Sequence, residues 1–155
     1  MSTHTAIISW KCTGPDFSSG KYSREHTWKF DGGLVVPASS SPSVVAVPFS
    51  NPANLDPEEA FVAAVASCHM LTYLFLASRQ NFQVDRYDDE AKGTMTKNEQ
   101  GIPWVSDVAL RPKIAYSGDK RPTAEDEDRL HHAAHEQCFI ANSIKTRVRV
   151  ERSAD

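Results

Sequence analysis

The sequence predicts one α+β domain spanning residues 1–155, with antiparallel strands packed around two helices in the order β-β-β-α-β-β-α-β. Three observations predict it. Short stretches with apolar side chains at alternate positions lie on both sides of the chain's middle, separated by turns rich in Gly, Pro and Asn. Two segments open with helix-capping residues, and the first leads into a long uncharged run. No internal repeat and no linker divides the chain.

Composition narrows the class of function. A 155-residue chain with 40% hydrophobic and 24% charged residues can bury a core of its own. The 17 Lys plus Arg against 20 Asp plus Glu give a net charge of -3, and no basic run occurs, so the electrostatic footprint of a nucleic-acid or anionic-membrane binder is missing. The three cysteines, Cys12, Cys68 and Cys138, are too few and too scattered for a secreted disulfide framework. The opening MSTHTAIISW lacks the basic and apolar regions of a secretory signal, and a cytoplasmic location is expected.

Thr5 to Cys12 is apolar and β-branched and reads as the first strand. From Tyr22 to Phe30 the residues alternate, placing Tyr22, Arg24, His26, Trp28 and Phe30 on one face. Asp31-Gly-Gly turns into a third short strand, Leu34-Val-Val-Pro, completing an antiparallel meander. Residues 37–55 hold four of the nine prolines and several serines, the composition of a long loop of the functional or mobile kind.

Asp56-Pro-Glu-Glu supplies a cap, a proline at the first helical position and Glu59 three residues after the cap. The 18 residues from Ala60 to Ala77 then carry no formal charge, which reaches the length of a membrane span. Ser67, Cys68, His69, Thr72 and Tyr73 within the run favour instead a buried central helix, apolar all round. Phe82 to Lys97 and Ile102 to Ser117 read as a hairpin about Asn98-Glu-Gln-Gly. Thr123-Ala-Glu-Asp opens a second helix through His131, His135 and Cys138 to about Asn142, and Lys145 to Glu151 alternates as a closing strand.

Cys68, in AVASCHM, and Cys138 are the candidate reactive thiols. A thiolate on an apolar helix needs a cation nearby, because burial alone raises a thiol's pKa and leaves it inert. Arg24 qualifies, since a guanidinium on an aromatic face must find an anion or reach water, and a thiolate or a carboxylate would satisfy it; Lys21 is the alternative cation. A rival constellation is metallic: on a helix running to Asn142, His131, His135 and Cys138 share one face at i, i+4 and i+7, with His69 or Cys68 as a further ligand. No CxxC or HExxH supports it, so no metal and no cofactor is expected. A third reading is a non-enzymatic protein holding an apolar ligand against the aromatic face and the long loop.

The segment NPANLDPEEAFVAAVASCHM resembles the first cysteine signature of the OsmC/Ohr family, the osmotically inducible and organic hydroperoxide resistance proteins, and HEQCFIANS resembles its second. The resemblance implies the OsmC-like fold, an intertwined homodimer and a thiol peroxidase acting on organic hydroperoxides, re-reduced by an external dithiol. It implies Cys68 as the peroxidatic thiol, Cys138 as the resolving thiol, Arg24 as the thiolate-stabilising arginine and Glu58 as that arginine's carboxylate partner. Cys12 receives no role. The sequence departs from the family's habit at His69, where an aromatic often follows the first cysteine, and at Phe139, where a proline often follows the second. Ten residues of ideal helix separate Glu58 from Cys68 by about 15 Å. Glu58 therefore reaches such a site through a broken helix or in another subunit, or else only favours the helix dipole.

Overall fold

The computed structural model describes residues 1–151, which fall into two compact units, the first covering residues 1–60 and the second beginning at Phe61. In the first unit, β1 (Ala6–Ser9), β2 (His26–Phe30) and β3 (Val35–Ala38) form an antiparallel sheet with β2 in the centre. The alternation that predicts the second strand persists in burial, with Arg24, His26, Trp28 and Phe30 partly buried and Glu25, Thr27 and Lys29 exposed.

The loop after β3 is tied down along its length. Ser39 donates its N–H to the Leu55 carbonyl at 3.0 Å, Leu55 donates to Pro37 at 3.1 Å, and Arg24 donates to Phe49 at 2.9 Å. Glu25 accepts from the side-chain amides of Asn51 at 2.8 Å and Asn54 at 3.3 Å, and these bonds, Asn51's first, hold its carboxyl below the usual range.

Helix α1 (Pro57–Arg79) starts where its signals place it. Glu59 N–H donates to Asp56 Oδ1 at 2.7 Å, and Asp56 N–H donates back to Glu59 Oε2 at 3.3 Å. Helix α1 is long and apolar enough to cross a membrane, by length and composition only. In the second unit its buried positions are Val65, His69, Tyr73 and Ala77, a single stripe at a spacing of four. Leu71 and Phe75 stand 60% and 59% exposed, so within one chain the helix is not buried all round as its composition suggests.

The expected hairpin forms about Asn98, whose N–H donates to the Ile102 carbonyl at 2.9 Å. Each of its arms is two strands rather than one: β4 (Gln83–Asp89) pairs with β7 (Pro112–Ser117), and β5 (Lys92–Lys97) pairs with β6 (Pro103–Leu110). Pro112 has no N–H to continue the ladder, and Arg111 N–H is taken by Asp89 Oδ1 at 2.6 Å. Helix α2 (Ala124–Gln137) begins with the expected capping box between Thr123 and Asp126. The last strand, β8 (Arg147–Val150), returns from α2 to lie parallel to β6, where a crossover permits parallel pairing. The element order is thus β-β-β-α-β-β-β-β-α-β, still a mixed α+β fold with two helices.

Two core clusters hold the second unit. Tyr73, Ala77, Phe82, Leu130 and Ala134 join α1 to α2, while Val65, Val108 and Leu110 join α1 to β6.

Candidate active site

Cys68 sits one residue before His69 of the buried α1 stripe and is partly exposed; Cys138 is 1% exposed. Helix α2 ends one residue earlier than Cys138, which adopts an extended conformation (φ -70°, ψ 117°) as the C-cap. This corrects the expectation of a helix running to Asn142. The turn out of the helix aims the Cys138 thiol at α1, and its Sγ lies 2.8 Å from Cys68 Sγ, with Cys138 as donor. Both are free thiols. Burial, and next the adjacent Cys68, push the Cys138 thiol above its ordinary value. The Ala141 N–H donates to the same sulfur at 3.4 Å, and the Thr72 hydroxyl donates to the Cys68 carbonyl at 2.9 Å.

Arg24 and Glu58 both lie in the first unit, where they line a cavity of about 480 Å³ with Trp10, Phe17, Tyr22, His26, Ser39, Ser40 and Pro57. The Arg24 guanidinium donates to the carbonyls of Gly20 at 2.8 Å and Tyr22 at 2.5 Å and lies 3.7 Å over the Tyr22 ring. Backbone oxygens and an aromatic face therefore hold it in place. Trp28 Nε1–H donates to His26 Nε2 at 2.9 Å, which leaves the His26 proton on Nδ1 to donate to the Arg24 carbonyl at 2.7 Å. No sequence spacing marks Trp10 and Phe17 as cavity residues, because what gathers them is spatial: their ring centroids lie 5.5 Å and 4.7 Å from that of Tyr22. Helix α1 is unbroken from Pro57 to Arg79, so a broken helix is removed from the routes that would bring Glu58 to Cys68.

The metallic constellation loses its geometry at Cys138, which has left the helical face of His131 and His135. Among the described residues no group of three or more His, Cys, Asp or Glu side chains is arranged to hold a metal ion. His69 instead joins His131, Nε2 to Nδ1 at 3.0 Å, with the rings 12° from parallel. That pairing escapes a reading of the sequence, although the spacing of four that buries Val65 and Tyr73 also buries His69.

The model of the OsmC-like protein family matches residues 50–153. The chain belongs to the OsmC-like family. An OsmC-like protein of unknown function from Vibrio cholerae O1 biovar eltor is 50% identical, with a TM-score of 0.95, covering 98% of this chain and 99% of that one. Two further solved structures share the OsmC-like fold at 19% identity each. The organic hydroperoxide resistance protein OsmC of Legionella pneumophila has a TM-score of 0.67 over 98% of this chain and 97% of its own. The organic hydroperoxide resistance protein OhrB of Bacillus subtilis has a TM-score of 0.65 over 98% of each. No curated protein matches the chain. The match to the family model leaves out residues 1–49, where Trp10, Phe17, Tyr22 and Arg24 lie.

Proposed function

We propose that this OsmC-like protein is a cytoplasmic two-cysteine thiol peroxidase that reduces organic hydroperoxides, alkyl or lipid, to alcohols. The observation that carries the reading is the 2.8 Å approach of Cys68 Sγ to Cys138 Sγ. The Cys68 thiolate attacks the terminal oxygen of the hydroperoxide; the O–O bond breaks, the alkoxide takes a proton and leaves as alcohol, and Cys68 becomes a sulfenic acid. Cys138 then attacks the Cys68 sulfur, water leaves, and a Cys68–Cys138 disulfide remains for an external dithiol to reduce. Burial keeps Cys138 protonated and so leaves the first attack to the more accessible thiol; in the second step the Cys138 proton departs with the sulfenic hydroxyl as water.

Arg24 stabilises the thiolate in this scheme and Glu58 orients the guanidinium. The family resemblance supports both roles, as does their shared position on an aromatic-lined cavity suited to an apolar hydroperoxide. Because α1 is continuous, Glu58 is proposed to serve the Cys68 of a second chain in an intertwined homodimer built from this single domain. The exposed apolar side chains Leu71, Phe75 and Phe139 support such a dimer.

The same cavity favours a second reading, a protein that holds an apolar ligand without turning it over. Stopped-flow reduction of an alkyl hydroperoxide and of hydrogen peroxide decides between the two. The peroxidase reading predicts rapid Cys68-dependent consumption with the alkyl substrate preferred, and binding of an alkyl hydroperoxide without its consumption would replace that reading with the other.

A further inference from the structure

We propose that the buried His69–His131 hydrogen bond is a clamp that sets α1 against α2 so that Cys68 and Cys138 meet, and that protonating both rings opens it. The proposal rests on the two thiols working as a pair, the reading given above, and extends it to residues that reading does not use.

The clamp lies between the two segments that carry the sulfurs. His69 follows Cys68 on α1, so whatever fixes its ring fixes the rotation and height of the Cys68 backbone. His131 precedes Cys138 by seven residues, two turns along α2. The two rings are 1% and 7% exposed. A polar contact there must be satisfied inside the protein, because breaking it leaves the His69 Nε2 buried without water. His69 Nδ1 is already a buried nitrogen without a hydrogen-bond partner among the described residues, so the Nε2 contact is the interaction that seats this ring. Both histidines are positioning residues; neither touches a reacting atom.

A hydrogen bond between two imidazoles needs one ring to accept, and two imidazolium ions can only donate and repel. The surroundings sharpen that rule. On α1, Tyr73 follows His69 by one turn, its ring centroid 4.4 Å from that of His131. On α2, Asp128, His132 and His135 border the same cavity of about 260 Å³, and β8 contributes Val148 and Val150. Burial, then the like charges of His131 and His135, hold the pKa of His69 down to about 4. The closed clamp therefore excludes protons that an opened, hydrated His69 would take up near its ordinary value of about 6.5, and acid favours opening.

The test measures the thiol pair without hydroperoxide. Wild type, His69→Gln and His69→Leu are equilibrated with reduced and oxidised glutathione between pH 7 and pH 5, using a diselenide catalyst. The two protein thiols lose two electrons and two protons in all as the disulfide forms, and oxidised glutathione takes up both to leave as two reduced molecules. Alkylation and mass spectrometry give the effective concentration of Cys68 toward Cys138. Glutamine places an amide where Nε2 stands and cannot gain a proton in this range; leucine removes the bond.

We expect the effective concentration in wild type to fall about threefold or more from pH 7 to pH 5. His69→Gln should stay close to the wild-type value at pH 7 and flat across the range. His69→Leu should be about tenfold lower throughout. A His69→Leu value equal to wild type, or a wild-type curve parallel to that of His69→Gln, overturns the clamp. Should circular dichroism show the leucine variant unfolded, the wild-type and glutamine curves decide alone. A working clamp in a protein that fails to consume alkyl hydroperoxide would sink the peroxidase reading and leave this one standing.

Discussion

The Sγ atoms of Cys68 and Cys138 lie 2.8 Å apart across 70 residues of sequence, one on α1 and the other on the C-cap that follows α2. A disulfide bond measures about 2.05 Å, so a small shift of either side chain would bring the sulfurs to bonding distance. A sulfenic acid formed on Cys68 would accordingly be short-lived while Cys138 is present. Cys138→Ser should consume one equivalent of alkyl hydroperoxide and stop, leaving a sulfenate that dimedone traps on Cys68. Dimedone labelling of wild type to the same extent as the variant would show that Cys138 does not resolve it.

A guanidinium is a fixed, planar cation, and that of Arg24 is held by two carbonyls and the Tyr22 ring. If it serves the thiolate, Arg24→Ala should slow both iodoacetamide alkylation of Cys68 and hydroperoxide reduction at pH 7 by about tenfold or more. Arg24→Lys should recover part of the rate, because an ammonium lacks the planar fork. Alkylation rates that coincide in all three proteins would remove Arg24 from the site and turn attention to Lys21.

Most of the architecture is legible in the sequence because local chemistry decides it. Asp56-Pro-Glu-Glu and Thr123-Ala-Glu-Asp cap the helices they announce, and Asn98 turns the hairpin as its type suggests. What escapes is decided by long-range contacts. The break in the hairpin depends on Asp89 capturing the Arg111 N–H, and the end of α2 depends on Cys138 turning toward α1. In the candidate site, the cysteines stand out by type and segment. The seat of Arg24 comes from Gly20, Tyr22 and His26, which no spacing rule connects to it.

His69 also makes the fold acid-sensitive. Its folded pKa, about 4, lies below its ordinary value of about 6.5, so between these values the unfolded chain binds more protons than the native one. The contribution is complete above about pH 6.5 and is lost as pH falls toward 4, by on the order of 3 kcal/mol. Urea unfolding at pH 7 and pH 5 checks this: wild type should lose more stability than His69→Gln, and equal losses would contradict it.

Leu71 and Phe75 share the exposed face of α1, and Phe139, 84% exposed, borders the same groove. If a second chain covers them, sedimentation of wild type should give a dimer, and Phe75→Glu should shift it toward monomer while the second unit keeps its helical circular dichroism. A monomeric wild type at micromolar concentration would contradict the dimer.

The most direct measurement treats the fully reduced protein with one equivalent of an alkyl hydroperoxide, blocks remaining thiols with iodoacetamide and maps the peptides by mass spectrometry without reduction. The proposed chemistry predicts one Cys68–Cys138 disulfide per chain, formed within one chain, with Cys12 alkylated and one equivalent of alcohol released. Recovery of Cys68 and Cys138 both alkylated, with the hydroperoxide unconsumed, would contradict it.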